Sequence, residues 1–252
     1  MCPRPLWYRL AVMTEKMKTI IAIHGAGMQA NAWDLLLADL LLPDLTGAGL
    51  ACRALSLPGH GDRKGDLLPS VEAMADWLRG EIGENPPQST FLLGHSMGAL
   101  VALEAARSQA VCGLILAGAA AAMPVHPDLL RQAGETPQDA AALILKWGVP
   151  RHHPDAAAFL KERMCPSALA NDLAACDAYA GGENAATGCG KPALVISGSD
   201  DKLAKAASGQ ALAEMMPQGR FCLIDGCGHM PMAETPAEMT RQIKAFVSSC
   251  RT

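Results

Sequence analysis

No CxxC pair, no block of like charge and no membrane-length apolar segment stands out in this 252-residue chain, and each absence closes a line of interpretation. Without paired CxxC ligands a structural zinc site has no framework. Nine cysteines lie scattered from Cys2 to Cys250, odd in number and several inside apolar runs, which fits reduced, buried thiols better than disulfides. With 21 basic against 25 acidic residues and a net charge of −4, there is no basic stripe for nucleic acid or for an anionic membrane. The N-terminal MCPRPLWYRLAVMTEKMK is too short and too interrupted for a signal peptide or a span, so a cytoplasmic protein is expected; Met13 and Met17 are alternative starts.

What is present is a rhythm of strand and helix. Lys18 to Ile23 (KTIIAI) is a β-branched apolar run that ends at His24-Gly25-Ala26-Gly27, a strand feeding a glycine turn. A helix should follow, capped by Asn31, with Trp33, Leu36, Leu37, Leu40 and Leu41 at helical spacing. Ala51 to Leu57 is the next strand, stopped by Pro58-Gly59-His60-Gly61, and Ser70 should cap a helix running to Ile82. Phe91 to Leu93 and Val111 to Leu116 are further strands. Their apolar residues are continuous rather than alternating, which argues for a parallel sheet covered on both faces.

From about residue 120 to 190 no strand is visible, only helix-like pieces over 127–133, 136–147, 155–164 and 167–179, punctuated by prolines and by Gly181-Gly182. The rhythm resumes with strand 193–197, helix 205–216, strand 220–224 and a last helix over 236–248. The expected class is α/β: a mostly parallel sheet with helices on both faces, its core formed by 1–119 and 189–252, and a helical lid inserted over 120–188.

The chemistry is concentrated in Gly94-His95-Ser96-Met97-Gly98, the GxSxG pattern between an apolar strand and a run of helix formers. A serine in such a turn is pushed into the open, but its hydroxyl is a poor nucleophile unless a base and an orienting acid lie elsewhere. Open α/β sheets place their sites beyond the carboxyl ends of the strands, where Asp200-Asp201 and His229 both fall. Nucleophile, acid and histidine then follow one another in the order associated with this serine turn. In that arrangement His229 takes the Ser96 proton and returns it to the leaving group, while the acid fixes the imidazole tautomer.

HGAGM with a downstream Trp33, LPGHG, GHSMG, PALVISGSDDKL and GCGHMPMAETP stand in this order, and with them the chain resembles the alpha/beta-hydrolase superfamily, near its esterase, lactonase and cofactor-free haloperoxidase-like branch. The resemblance covers nearly everything outside the lid. It implies Asp201 rather than Asp200 as the acid, three residues after the glycine that ends the strand, and an oxyanion hole from the backbone N–H groups of Ala26 and Met97. It also implies supporting roles in the turns and pocket for His24, Gly25, Gly27, Gly94, His95 and Gly98, with no chemistry for His24, His60 or His95. Many relatives continue the acid loop with Thr-Pro or Val-Pro, where this chain has Lys202-Leu203-Ala204-Lys205, so the turn there should differ.

Gly25 to Ala30 also satisfies a GxGxxA dinucleotide fingerprint, yet the second strand ends Leu55-Ser56-Leu57-Pro58 without the acid a ribose requires. His152-His153 lie between prolines with no third ligand spaced to join them, which favours an exposed loop over a metal site. Met123, Leu143 and Met164 are expected to serve helix packing. The resulting expectation is a serine hydrolase for a small ester or related carbonyl compound, with no cofactor, no metal and a small molecule as its partner. Carbon–carbon hydrolysis, lactone opening or proton-abstracting lyase chemistry on the same residues is the alternative, and a ligand receptor on the same scaffold is the rival outside enzymes. Oligomeric state is not legible.

Overall fold

A computed structural model describes residues 18–41, 50–83, 86 and 88–250. The N-terminal stretch, with Cys2, Met13 and Met17, lies outside the described residues. Among the described residues six strands form one sheet: β1 (Lys18–Ile23), β2 (Leu50–Leu55), β3 (Thr90–His95), β4 (Val111–Ala117), β5 (Ala193–Gly198) and β6 (Gly219–Ile224). They run in the order β2-β1-β3-β4-β5-β6, and every pairing is parallel.

The continuous apolar strands are explained by burial on two faces. Ile20, Ala22, Phe91, Leu93, Ile115, Leu194 and Ile196 face one core, and Ile21, Ile23, Leu92, Leu114, Leu116 and Val195 face the other, in strict alternation. The first core is closed by α1 (Asp34–Leu40) and α11 (Pro236–Ser249). The second is closed by α2 (Val71–Ile82), α3 (Met97–Ala105) and α9 (Ala206–Met215). Helix α2 buries Val71, Met74, Ala75, Leu78 and Ile82 along one stripe, and Ser70 Oγ caps it by accepting from Ala73 N–H. Each large apolar side chain so buried contributes roughly 1.5–3 kcal/mol. Edge strands β2 and β6 are only partly covered, whereas β3 and β5 are buried throughout.

Between β4 and β5 come five helices without a strand: α4 (Pro127–Glu135), α5 (Pro137–Gly148), α6 (Pro154–Lys161), α7 (Pro166–Ala178) and α8 (Gly182–Thr187). Four of them begin at proline, whose fixed φ and missing N–H suit the first helical turn. The short α10 (Pro231–Glu234) precedes α11.

Two local expectations fail. Asn31 caps nothing: it lies inside a 3-10 turn, Ala30–Trp33, so the helix begins only at Asp34, and Leu41 at its end is exposed. Gly181-Gly182 does not merely break the chain but starts α8, because Gly182 packs against the Ala121 carbonyl where no side chain fits. The eight described cysteines are free thiols, three buried and five half-buried rather than uniformly buried.

Candidate active site

In this strand order the chain leaves β1 toward β2 on one side and places β3 on the other, so the loops after β1 and β3 diverge and open a crevice at their carboxyl ends. His24 to Gly27 follow β1 there, and Ser96 follows β3. Ser96 adopts φ 52°, ψ −120°, a left-handed conformation that costs a non-glycine residue about 1–3 kcal/mol. The turn is possible because its neighbours lack side chains: a Cβ on Gly94 would overlap the Gly98 carbonyl, and one on Gly98 would overlap the Ile23 and His24 carbonyls. Ser96 N–H donates to Ala117 O at 2.9 Å, and Ser96 O accepts from Ala99 N–H at 2.8 Å. Met97 opens α3, where the first N–H groups of a helix lack intrahelical acceptors. Gly25 packs so closely that a Cβ there would lie 3.3 Å from Ser96 Cβ.

His229 Nδ1–H donates to Asp201 Oδ2 at 2.8 Å, in a pair almost wholly buried. Asp201 Oδ1 accepts from the N–H groups of Leu203 and Ala204, both at 2.8 Å. Burial alone would raise the Asp201 pKa, but the His229 charge and hydrogen bond, with these two N–H donors, hold it below the ordinary carboxylate value. Asp200 is exposed and accepts from Ser199 Oγ at 3.2 Å. The turn after Asp201 therefore holds this carboxylate through the backbone N–H groups of Leu203 and Ala204.

The main chain of His229 is held from three directions. Its N–H donates to Gly148 O at 2.7 Å, at the end of α5, and its carbonyl accepts from His95 Nε2 at 2.9 Å. The buried Glu234 carboxylate takes the N–H groups on either side, Gly228 at 2.6 Å and Met230 at 2.8 Å. Burial raises the Glu234 pKa, with those two N–H groups pulling the other way. His152 Nε2 and His153 Nε2 both reach Gly226 O, at 2.7 and 3.1 Å, so the pair braces the turn before His229.

Hydrogen bonding also assigns protons to the other buried histidines. His24 Nε2 accepts from Leu57 N–H at 3.1 Å while Nδ1 faces Gly25 O at 2.9 Å, which requires the neutral Nδ1–H form. Burial and the nearby His60 charge lower its pKa to about 4. His95 is likewise neutral, lowered to about 3 by burial and by His229.

Ser96, His229, Ala26 and His95 line one cavity of about 440 Å³. Its apolar lining includes Leu129, Ile144, Trp147 and Leu173 from α4, α5 and α7, and Lys202 and Lys205 line it as well. Met123 packs on the core and also lines this cavity, beyond the packing role expected of it. The 25–30 turn offers little to a dinucleotide, because Gly27 N–H is taken by Asp172, Met28 N–H by Gly25 O and Ala30 N–H by Ser56 Oγ. Among the described residues no group of three His, Cys, Asp or Glu side chains is placed to hold a metal ion.

Sequence reading did not assign Glu234, although it lies within the quoted GCGHMPMAETP. A carboxylate five residues after a turn histidine, directly following the apolar run Met230 to Ala233, was the available signal. Asp172 carried no local signal, since its two shortest bonds reach residues 112 and 145 positions away.

The sequence profile of the Alpha/beta hydrolase family matches residues 20–242. The chain belongs to that family. It is a hydrolase with the alpha/beta-hydrolase fold. Over 90% of its length it is 29% identical to a pimeloyl-[acyl-carrier protein] methyl ester esterase of Aromatoleum aromaticum, covering 97% of that protein. An enol-lactonase of Burkholderia xenovorans LB400 superposes with a TM-score of 0.81 at 22% identity, over 94% of this chain and 93% of the other. A thermophilic esterase of Thermogutta terrifontis gives 0.77 at 23% identity, over 93% and 91%. Among the described residues no helix is long and apolar enough to cross a membrane.

Proposed function

We propose that this hydrolase is a serine carboxylesterase whose nucleophile, base and acid are Ser96, His229 and Asp201, with residues 120–188 forming a lid over the site. The observation that carries the reading is the shared cavity: a serine held at positive φ opens onto the same space as a histidine whose Nδ1–H is already committed to a buried carboxylate. Ser96 Oγ attacks the ester carbonyl carbon as His229 Nε2 takes its proton. The Ala26 and Met97 N–H groups receive the negative charge that develops on the carbonyl oxygen. The bond to the alcohol oxygen breaks, His229 protonates the departing alcohol, and water repeats the sequence on the acyl-enzyme to release the acid. Asp201 keeps the proton on Nδ1 throughout and stabilises the transient imidazolium.

The test is hydrolysis of short-chain p-nitrophenyl esters, with mass-spectrometric detection of a phosphonate adduct on Ser96. Wild type should turn over and become labelled, and Ser96→Ala should do neither. Equal, slow hydrolysis by both across a broad ester panel overturns the reading.

A narrower substrate class, the methyl ester of a carrier-borne acyl chain, is favoured by a groove that adjoins the cavity. Trp147 and Lys202 line both spaces. The groove has an apolar floor containing Leu145 and Val149, is rimmed by Lys146, Arg151, Lys161 and Lys202, and has no carboxylate in its lining. That surface suits an anionic partner carrying an apolar chain, and the curated relative named above acts on such an ester. A carrier-bound methyl ester should be hydrolysed with a higher kcat/KM than the same free methyl ester, and the advantage should shrink with added salt. Equal values at every ionic strength would remove this narrower class and leave the esterase reading intact.

A further inference from the structure

The catalytic reading above leaves the wholly buried Asp172 carboxylate unused. Asp172 lies on α7, and its Oδ2 accepts from Gly27 N–H at 2.8 Å and from His60 Nε2 at 2.8 Å. Gly27 is next in the chain to Ala26. Its carbonyl is held as well, accepting from the N–H of Cys165, the residue before α7, at 2.6 Å. Gly27 has φ +62°, and Leu169 of α7 fills the place where its side chain would stand, with Cδ1 2.7 Å from an ideal Cβ. Both backbone polar groups of Gly27 and its open face are thus fixed by one helix of the segment between β4 and β5.

The partner of Asp172 identifies its own charge state. His60 Nδ1 faces Pro58 O at 3.0 Å and Nε2 faces the Asp172 carboxylate. Both neighbours are acceptors, so both nitrogens must carry protons and the ring is an imidazolium. Burial opposes that charge, but the hydrogen bond and charge of Asp172 outweigh it and raise the His60 pKa. Asn171 Nδ2 adds a longer bond to Asp172 Oδ1 at 3.3 Å. The result is a buried ion pair that joins α7 to the turn after β2 while its carboxylate grips the turn after β1. For packing alone, well-fitted apolar residues are commonly as good as a buried ion pair or better. The pair makes sense where a carboxylate is needed to hold a backbone N–H at a set place.

We propose that Asp172 is a positioning residue for the oxyanion loop, holding Gly27 so that the adjoining Ala26 N–H is aimed at the carbonyl oxygen during attack by Ser96. This rests on the esterase reading. The helical segment then completes the catalytic apparatus from α7, in addition to covering the cavity, and the protonated His60 cancels a negative charge that would otherwise oppose the oxyanion.

The experiment compares Asp172→Asn with Leu160→Ala, a cavity-forming change at a buried α6 position away from the site. With a p-nitrophenyl ester, Asp172→Asn should lower kcat by about 10- to 100-fold while KM stays within about threefold, since a displaced oxyanion donor acts on the transition state. Affinity for a boronic acid that forms a tetrahedral adduct on Ser96 should fall in parallel. Leu160→Ala should lower the melting temperature and keep kcat. Wild-type kcat in Asp172→Asn, or an equal loss in Leu160→Ala, overturns the proposal. Should Asp172→Asn not fold, His60→Gln must still reduce kcat by about tenfold, because it leaves the buried carboxylate uncompensated; unchanged kcat there is equally fatal. A readout independent of turnover separates this from the esterase reading: in unliganded protein labelled with 15N-glycine, the Gly27 amide should shift and exchange faster in Asp172→Asn. An unmoved Gly27 amide defeats the positioning role, whereas absence of Ser96-dependent hydrolysis in wild type defeats the esterase reading.

Discussion

Asp201 meets His229 through Oδ2 alone, at 2.8 Å, while its Oδ1 is occupied by two backbone N–H groups of the following turn. The carboxylate therefore cannot rotate away from the imidazole without abandoning Leu203 and Ala204. Its neighbour Asp200 is exposed and touches neither.

This contrast predicts opposite outcomes for two isosteric changes. Asp201→Asn offers an amide that can present N–H to Nδ1 and so favour the wrong imidazole tautomer, and kcat should fall on the order of 10³- to 10⁴-fold. Asp200→Asn should leave kcat within about twofold, in keeping with surface substitutions generally. Steady-state rates on one aryl ester decide the matter, and comparable losses in both would show that the acid role is shared.

Glu234 supports the same histidine from behind. Glu234→Gln replaces one carboxylate oxygen by an NH2 group facing the Gly228 or Met230 N–H, leaving a buried donor unsatisfied at a cost of about 1–3 kcal/mol. Urea unfolding should show that loss. Because the disturbed groups flank His229, kcat should drop while KM changes little, and an unchanged denaturation midpoint would contradict the hydrogen-bond account.

The sheet and the candidate site were legible for different reasons. Strands such as Lys18–Ile23 and Ala193–Gly198 announce themselves because inner parallel strands are apolar on both faces, and Gly94-His95-Ser96-Met97-Gly98 does so because a sharp turn tolerates few residue types. Asp201 and His229 were readable from turns at strand ends, where position along the chain nearly fixes position in space. Asn31 looked like a cap because its type is right, but a cap depends on where the first turn closes, and the 3-10 turn moved that point to Asp34. Asp172 and the cavity wall were not readable at all. They depend on how α4 to α7 pack over the core, and short helices such as the alanine-rich α7, with no marked apolar stripe, permit many such packings.

The two buried imidazole–carboxylate pairs respond to pH with opposite signs. The His60 pKa is raised in the fold, so the stabilisation from its pairing with Asp172 is complete below the unfolded value near 6.5 and disappears as pH rises through the folded value. His24, whose ring lies 4.8 Å away, is the other titratable group facing His60, and it stays neutral over this range. The Asp201 pKa is lowered, so its contribution is complete above the unfolded value of 3.8 and is lost as pH falls through the folded one. Melting temperature should therefore decline on the alkaline side of pH 6.5 in wild type and decline less in His60→Gln. Parallel curves for the two proteins would refute the pairing.

Chain-length preference follows from the cavity wall. Ile144 is 7% exposed and, from α5, lines the same space of about 440 Å³ that Ser96 lines. Each methylene that enters such a space gains about 0.8 kcal/mol, so kcat/KM should rise roughly fourfold per added methylene along a p-nitrophenyl ester series until the cavity is filled. Ile144→Ala removes part of the wall and should move that limit to longer esters, whereas Ile144→Trp should move it to shorter ones while acetate hydrolysis persists. The break point of the series is the informative quantity, because a substitution that merely loosens the fold lowers every chain length by the same factor. A uniform decrease in Ile144→Trp would mean that the acyl or alkyl chain does not occupy the space beside α5, and that the site takes its substrate along another path.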